Sequence, residues 1–284
     1  MKKDREKRKT HKILRVATLF VAVCAAIVVD SNFRLTTTEY TLVFDNLPDS
    51  FDGLRIVQLS DLHGMSFGKD NSRLVSRVAE LEPDVIFLTG DFIDDEADIE
   101  TSVTLCRQLT QLAPVYFCSG NHDWGSGLAW EFMKALEDCG VLWLHNEYDE
   151  VTLGGESIII AGVEDPNSLA EMTQPDELAE TISLEKPGKF VILLGHRNDW
   201  PEKYPDLPVD LIFSGHGHGG VIRLPGGVGL LGTEHNFFPE YDAGVFESGR
   251  YRMVVSRGLG GNGVLLVPRF LNNPEVVCVT LKST

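Results

Sequence analysis

The sequence predicts an α/β domain carried on one N-terminal membrane-spanning helix, and three observations predict it. Eight short apolar runs, rich in β-branched and aromatic residues, recur along the chain as strands would. Amphipathic stretches at helical spacing lie between or after the first of these runs. Near the N-terminus an uncharged apolar segment directly follows a basic cluster.

The strand runs are Leu54–Ser60, Val85–Thr89, Val115–Ser119, Ser157–Val163, Phe190–Leu194, Leu211–Ser214, Tyr251–Ser256 and Glu275–Leu281. Leu74, Val75, Val78 and Leu81 give Asn71–Leu81 a helical face, as Phe132, Leu136 and Cys139 do for Leu128–Cys139. Strand-helix alternation in the first half implies parallel pairing. The second half is strand-dense, with turns at Pro225-Gly226-Gly227 and Gly258–Gly263. Upstream, the alternation of Tyr40–Phe44 reads as an edge strand.

At 284 residues and 43% hydrophobic, the chain can bury one sizeable core. Its net charge of -17 is unevenly placed: residues 1–30 hold eight Lys/Arg against three acidic residues, leaving the remainder near -22. So acidic a body, with no basic cluster beyond the tail, excludes nucleic acid as a partner. The five cysteines (Cys24, Cys106, Cys118, Cys139, Cys278) are too sparse and irregular for a disulfide framework. Cys118 and Cys278, in strand runs, read as buried thiols.

Val16–Val29 carries no charge. Ile13 and Leu14 before it and Ser31–Phe33 after it complete the ~20 residues that a bilayer requires, with Arg15 snorkelling at the boundary. A cleaved signal peptide is the competing reading, but Ala22-Val23-Cys24 is a poor cleavage site. The expected order is a basic cytoplasmic tail over 1–12, an anchor over 13–33, a linker and lead-in strand over 34–52, and the main domain over 53–284. Positive charge inside places that domain outside the cytoplasm, on a single-pass protein of the cell membrane.

Five strand runs end in polar, metal-ligating residues. Leu54–Ser60 leads into Asp61-Leu62-His63, and Val85–Thr89 into Gly90-Asp91-Phe92-Ile93-Asp94. Val115–Ser119 leads into Gly120-Asn121-His122-Asp123, Phe190–Leu194 into Gly195-His196, and Leu211–Ser214 into Gly215-His216-Gly217-His218. Each block alone has an ordinary explanation, such as a turn or a helix cap. Oxygen and imidazole donors at successive strand ends, with no cysteine among them, imply one metal-collecting pocket.

The order D-x-H, G-D-x-x-D, G-N-H-D, G-H, G-H-x-H resembles the calcineurin-like metallophosphoesterases over Leu54–Gly219. Leu54–Gly64 and the tail from Ser256 resemble its membrane-tethered bacterial YaeI/YkuE-like branch. The resemblance implies two mixed β-sheets packed face to face and flanked by helices, and two divalent metal ions of manganese, iron or zinc. By position, Asp61, His63 and His218 would hold one ion, Asn121, His196 and His216 the other, and Asp91 would bridge them. His122 would be the catalytic histidine, oriented by Asp94. The implied chemistry is phosphoester hydrolysis by a metal-bridging hydroxide. Lipid-linked or sugar-nucleotide substrates, such as UDP-diacylglucosamine-type pyrophosphates, are the class that the branch suggests. A non-catalytic metal-binding sensor or adhesion module and a two-metal amidase are the alternatives; the former has no need of a His-Asp pair.

Two departures stand out. The last block lacks the threonine and glutamine of G-H-T-H-G-G-Q, which touches tuning and no ligand. Asp95 and Glu96 follow Asp94 where protein phosphatases carry arginine, which argues against phosphoprotein substrates. Gly258–Gly263 fits G-x-G-x-x-G, but Val264–Phe270 after it reads as a strand, so no dinucleotide site is expected. His145, His235 and His11 lack partners at ligand spacing. Arg197 suits either a phosphate contact or a salt bridge to an acidic neighbour.

Overall fold

A computed structural model describes residues 2–168, 174–233, 235–261 and 267–284, with side chains from residue 7 onward. Two six-stranded mixed sheets pack face to face. The first contains β1 (Thr36–Phe44), β2 (Arg55–Leu59), β3 (Val85–Thr89), β4 (Val115–Cys118), β5 (Leu142–Trp143) and β14 (Glu275–Ser283), in the order β1-β14-β2-β3-β4-β5. The second contains β6 (Glu147–Leu153), β7 (Glu156–Gly162), β8 (Val191–Leu194), β9 (Leu211–Ser214), β12 (Gly244–Ser248) and β13 (Tyr251–Val255), in the order β12-β13-β9-β8-β7-β6. A separate hairpin pairs β10 (Ile222–Arg223) with β11 (Gly229–Leu231).

The eight apolar runs all became strands, and they form the central four strands of each sheet. β2, β3, β4 and β5 are parallel, as are β7, β8, β9 and β13; antiparallel β14 joins the first group, and β6 and β12 close the second. β3, β4, β8 and β9 are buried at every position, because parallel strands are covered on both faces and need no polar alternation. Between the sheets, Phe87 meets Phe213 edge to face with centroids 5.1 Å apart and lies in a cluster with Ile56, Ile192 and Val277. Cys118 and Cys278 are buried free thiols.

Helices cover the outer faces. α2 (Ser72–Glu80), α3 (Glu96–Leu109) and α5 (Ala129–Glu137) cover the first sheet; α6 (Pro175–Glu185) and α7 (Trp200–Lys203) cover the second. The short α4 (Asn121–Gly125) opens directly at a strand end. α3 and α6 are additions to the sequence reading. α3 is rich in Glu, Thr and Ser, so its apolar face is faint, and its start is fixed instead by Asp95 accepting from the Ala97 N–H at 2.8 Å.

α1 (Lys2–Phe33) runs unbroken through the basic segment and the apolar one. Its portion Lys7–Phe33 is long and apolar enough to cross a membrane and buries none of its most apolar window in the domain. The lead-in strand is longer than Tyr40–Phe44, because β1 pairs with β14 over nine positions from Thr36. Of Val264–Phe270, residues 264–266 lie outside the described part. Val267, Pro268 and Arg269 are not strand, and Phe270 makes one bridge to Ile222. Pro268 has no N–H to give a ladder, and Arg269 turns inward.

Candidate metal centre

The carboxyl ends of β2, β3, β4, β8 and β9 converge, and each delivers its polar block to one point. The backbone there is crowded. A Cβ on Gly90 would stand 2.6 Å from the Gly120 nitrogen, and one on Gly215 would stand 1.9 Å from Ser60 Oγ. Only glycine lets these chain segments approach so closely. Asp61, His63, Asp91, His216 and His218 all adopt positive φ, between 45° and 62°. Non-glycine residues rarely do so, and such conformations concentrate at functional sites.

Three overlapping donor groups result among the described residues, the third being His63, Asp94 and His122. Asp61, His63 and His218 form one, with His218 Nε2 3.4 Å from Asp61 Oδ1 and 3.2 Å from His63 Nε2. Asp91, His196 and His216 form the second, with Asn121 Oδ1 3.1 Å from His196 Nε2. Asp91 Oδ2 lies between the first two groups, 3.1 Å from His196 Nε2 and 3.8 Å from His63 Nε2. His122 stands beside them: its Nδ1 is 2.7 Å from Asp94 Oδ1, which also lies 2.8 Å from His63 Nδ1. The nine sequence-predicted site residues thus lie together in one cluster.

The donors suit cations. His63 can donate its Nδ1–H to Asp94 and His196 its Nδ1–H to the Thr89 carbonyl at 2.8 Å, so that each Nε2 faces inward. The electrostatics also call for positive charge. Burial pushes the Asp61 carboxyl up against the pull of His196. Burial acts likewise on Asp91, but His196, then His63 and His122, overcome it and hold that carboxyl well down. Burial opposes charging His196, yet Asp91 and Asp61 raise it to about 10. Burial, aided by His196 for His216 and by His63 for His218, keeps both imidazoles neutral, the form that binds metal.

Several residues of the site were not singled out from sequence. Asp123 is buried and accepts from the N–H groups of Gly120, Asp91, Phe92 and Ile93 at 2.8 to 3.1 Å, locking two strand ends together. It was visible in Gly120-Asn121-His122-Asp123 only as a helix cap. Buried Arg269 donates from Nη2 towards His218 Nδ1 at 3.2 Å. Arg197 makes the salt bridge anticipated for it, a two-pronged pair with Asp165 at 2.6 and 3.2 Å, and its Nη1 also lies 3.1 Å from His216 Nε2. His145 sits against buried Glu164 at 3.0 Å, away from the donor groups.

A family model described as calcineurin-like phosphoesterase matches residues 54–220, which contain all nine predicted site residues. The chain belongs to that family. This phosphoesterase is 34% identical to the uncharacterised metallophosphoesterase YkuE of Bacillus subtilis over 257 residues, 88% of this chain and 86% of YkuE. It is 27% identical over 288 residues to the UDP-2,3-diacylglucosamine pyrophosphatase LpxG of Chlamydia trachomatis, covering 81% of this chain and 85% of LpxG. It is also 28% identical over 255 residues to a transmembrane protein with a metallophosphoesterase domain from Danio rerio, covering 84% of this chain and 55% of that one. The phosphoesterase is accordingly a hydrolase of phosphoester bonds, in a family that uses divalent metals.

Proposed function

We propose that the phosphoesterase works with two divalent cations: Asp61, His63 and His218 hold one, Asn121, His196 and His216 the other, and Asp91 spans both. The observation that carries this reading is the position of Asp91 Oδ2 between His63 Nε2 and His196 Nε2. A carboxylate has two oxygens and can serve two cations about 3.5–4 Å apart, which an amide or imidazole does less well. When bound, the cations supply Lewis-acid charge for the phosphoryl oxygens and make a water acidic enough to attack at neutral pH. The rest falls to the chain. His122 is held at Nδ1 by Asp94 and is partly exposed, so its Nε2 can deliver a proton to the departing oxygen. The donor set, all Asp, Asn and His, suits manganese, iron or zinc.

The substrate proposed is a lipid-linked or sugar-nucleotide phosphoester or pyrophosphate, a reading supported by the likeness to LpxG. The chain is proposed to be anchored by α1 with its catalytic domain outside the cytoplasm, supported by the apolar span and by the basic residues before it. A screen of phosphomonoesters, phosphodiesters, pyrophosphates and amides against added manganese, iron and zinc tests the chemistry. Metal-dependent turnover of a phosphodiester or pyrophosphate is expected. Turnover of amides alone, or metal binding without turnover of any ester, would overturn it.

A further inference from the structure

The tether and the metal centre meet at one end of the molecule. β14 runs antiparallel to β2, with Val277 opposite Gln58, so β14 begins where β2 ends and Asp61 follows. β1 is parallel to β14 from Thr36 opposite Glu275, which brings the end of α1 to the same place. Only Arg34 and Leu35 separate α1 from β1, a reach of roughly 10 Å at most. Hydrogen bonds fix the junction further. Asn32 Nδ2 donates to the Arg269 carbonyl at 3.0 Å, and the Arg269 N–H returns to Asn32 Oδ1 at 3.2 Å. Asn273 Nδ2 donates to the Asp30 carbonyl at 2.7 Å. One residue, Arg269, thus connects the tether to His218.

A narrow apolar strip starts at this junction. Phe270 bridges Ile222, Ile222 pairs with Leu231, and Leu231 bridges Phe237. Along it Leu224, Val228, Phe237, Phe238 and Leu271 are exposed, Phe237 at 71% and Phe238 at 59%. Phe33 on α1 is 56% exposed at its near end, and Arg34 and Arg73 flank it, with Arg73 Nη2 3.5 Å from the Phe33 carbonyl. Adjacent exposed phenylalanines, joined through this strip to the segment that holds the end of an apolar helix, form a patch that water disfavours and a bilayer interface accepts. Arg73 is placed for a lipid phosphate, while Arg34 is paired with Asp30 at 2.6 Å. The loop that carries them also walls the active site. Gly232, Thr233, Asn236 and Pro239 line a cavity of about 470 Å³ that includes Arg197 and His216.

We propose that this strip rests in the interface of the bilayer that α1 enters, so that the metal centre opens onto the lipid surface and takes a phosphoester borne by a lipid. The proposal rests on the anchored hydrolase reading above. A bilayer is the occupant because the strip is joined to a helix of membrane-spanning length through a junction too short to swing away.

Full-length protein in vesicles of phosphatidylcholine and phosphatidylglycerol tests it. Phe238→Trp should be quenched by brominated acyl chains beyond the wild-type level; no added quenching overturns the proposal. The Phe237→Asp/Phe238→Asp variant should lose at least ~10-fold in turnover of a lipid bearing a nitrophenyl phosphodiester. Its turnover of soluble bis(nitrophenyl) phosphate, measured beside it, should fall far less. Equal effects on both substrates overturn the proposal. If the wild type cleaves neither, the hydrolase reading has failed, and the quenching result still decides the membrane face. Recovery of the wild type apart from the vesicles means instead that the anchor reading has failed.

Discussion

The site residues differ in what they can tolerate, because their contacts differ. Asp91 is buried, sits between two donor groups and accepts the His122 N–H at 2.7 Å. Asp91→Asn keeps the shape and removes the charge. We expect both cations to bind poorly and turnover to vanish, as read by metal analysis and a nitrophenyl ester assay. His122 stands edge-on to His63, with ring centroids 4.7 Å apart, and is held at Nδ1 by Asp94, but it belongs to neither proposed ligand set. His122→Ala should therefore retain near wild-type metal while kcat falls by ~10²–10⁴-fold, the range for losing one acid-base group. A nitrophenolate leaving group, needing little protonation, should partly rescue this variant and not Asp91→Asn. Equal metal loss in both would place His122 among the ligands.

The elements contribute by ending at the right place. β3 and β9 each pass into a glycine, and their polar blocks turn back at positive φ so that side chains from separate strands face one another. Gly215→Ala tests how tightly these ends are fitted, since its Cβ would lie 1.9 Å from Ser60 Oγ and 2.4 Å from Asp61 Oδ2. A loss of ~1–3 kcal/mol is expected from overpacking, with reduced metal content because Asp61 must move. Gly125→Ala is the contrasting case: a Cβ there meets nothing within 4 Å, at a helical position in α4. It should be neutral or stabilising by up to ~1 kcal/mol. Thermal unfolding with metal analysis separates the two, and a Gly215→Ala protein as stable and as metal-rich as wild type would contradict the crowding seen here.

At the scale of the whole molecule, an acidic body hangs from a basic, apolar helix, with its metal centre at the end nearest that helix. A spanning helix resists extraction, whereas a contact made by basic side chains alone is screened by salt. The full-length protein should stay in the membrane pellet after a carbonate wash, and external protease should release the body from spheroplasts. A soluble product beginning shortly after Cys24 would mean cleavage, and protection from the protease would reverse the topology. Removing residues 1–30 should leave a soluble hydrolase active on soluble esters, since every proposed ligand lies at or beyond Asp61 and Asn32 still holds Arg269.

By itself the sequence determined the eight central strands, the order of polar blocks at their ends and the apolar helix, but not β5, β6, β10, β11 or β12. All three are local: β-branched runs, glycine turns and charge-free length are written in consecutive residues. α3 escaped notice because its apolar face is diluted by Glu, Thr and Ser, so its packing against the first sheet, and not its pattern, makes it a helix. Only the tertiary structure decided what surrounds the donors. Arg269 lies 51 positions from His218, Asp165 lies 32 from Arg197, and Asp123 lies 32 from the Asp91 N–H that it accepts. Nor could sequence tell that α1 ends beside the metal centre, since that follows from β1 pairing in parallel with β14. Such contacts exist only once the sheets are paired and packed, because burial and strand register set which distant side chains meet.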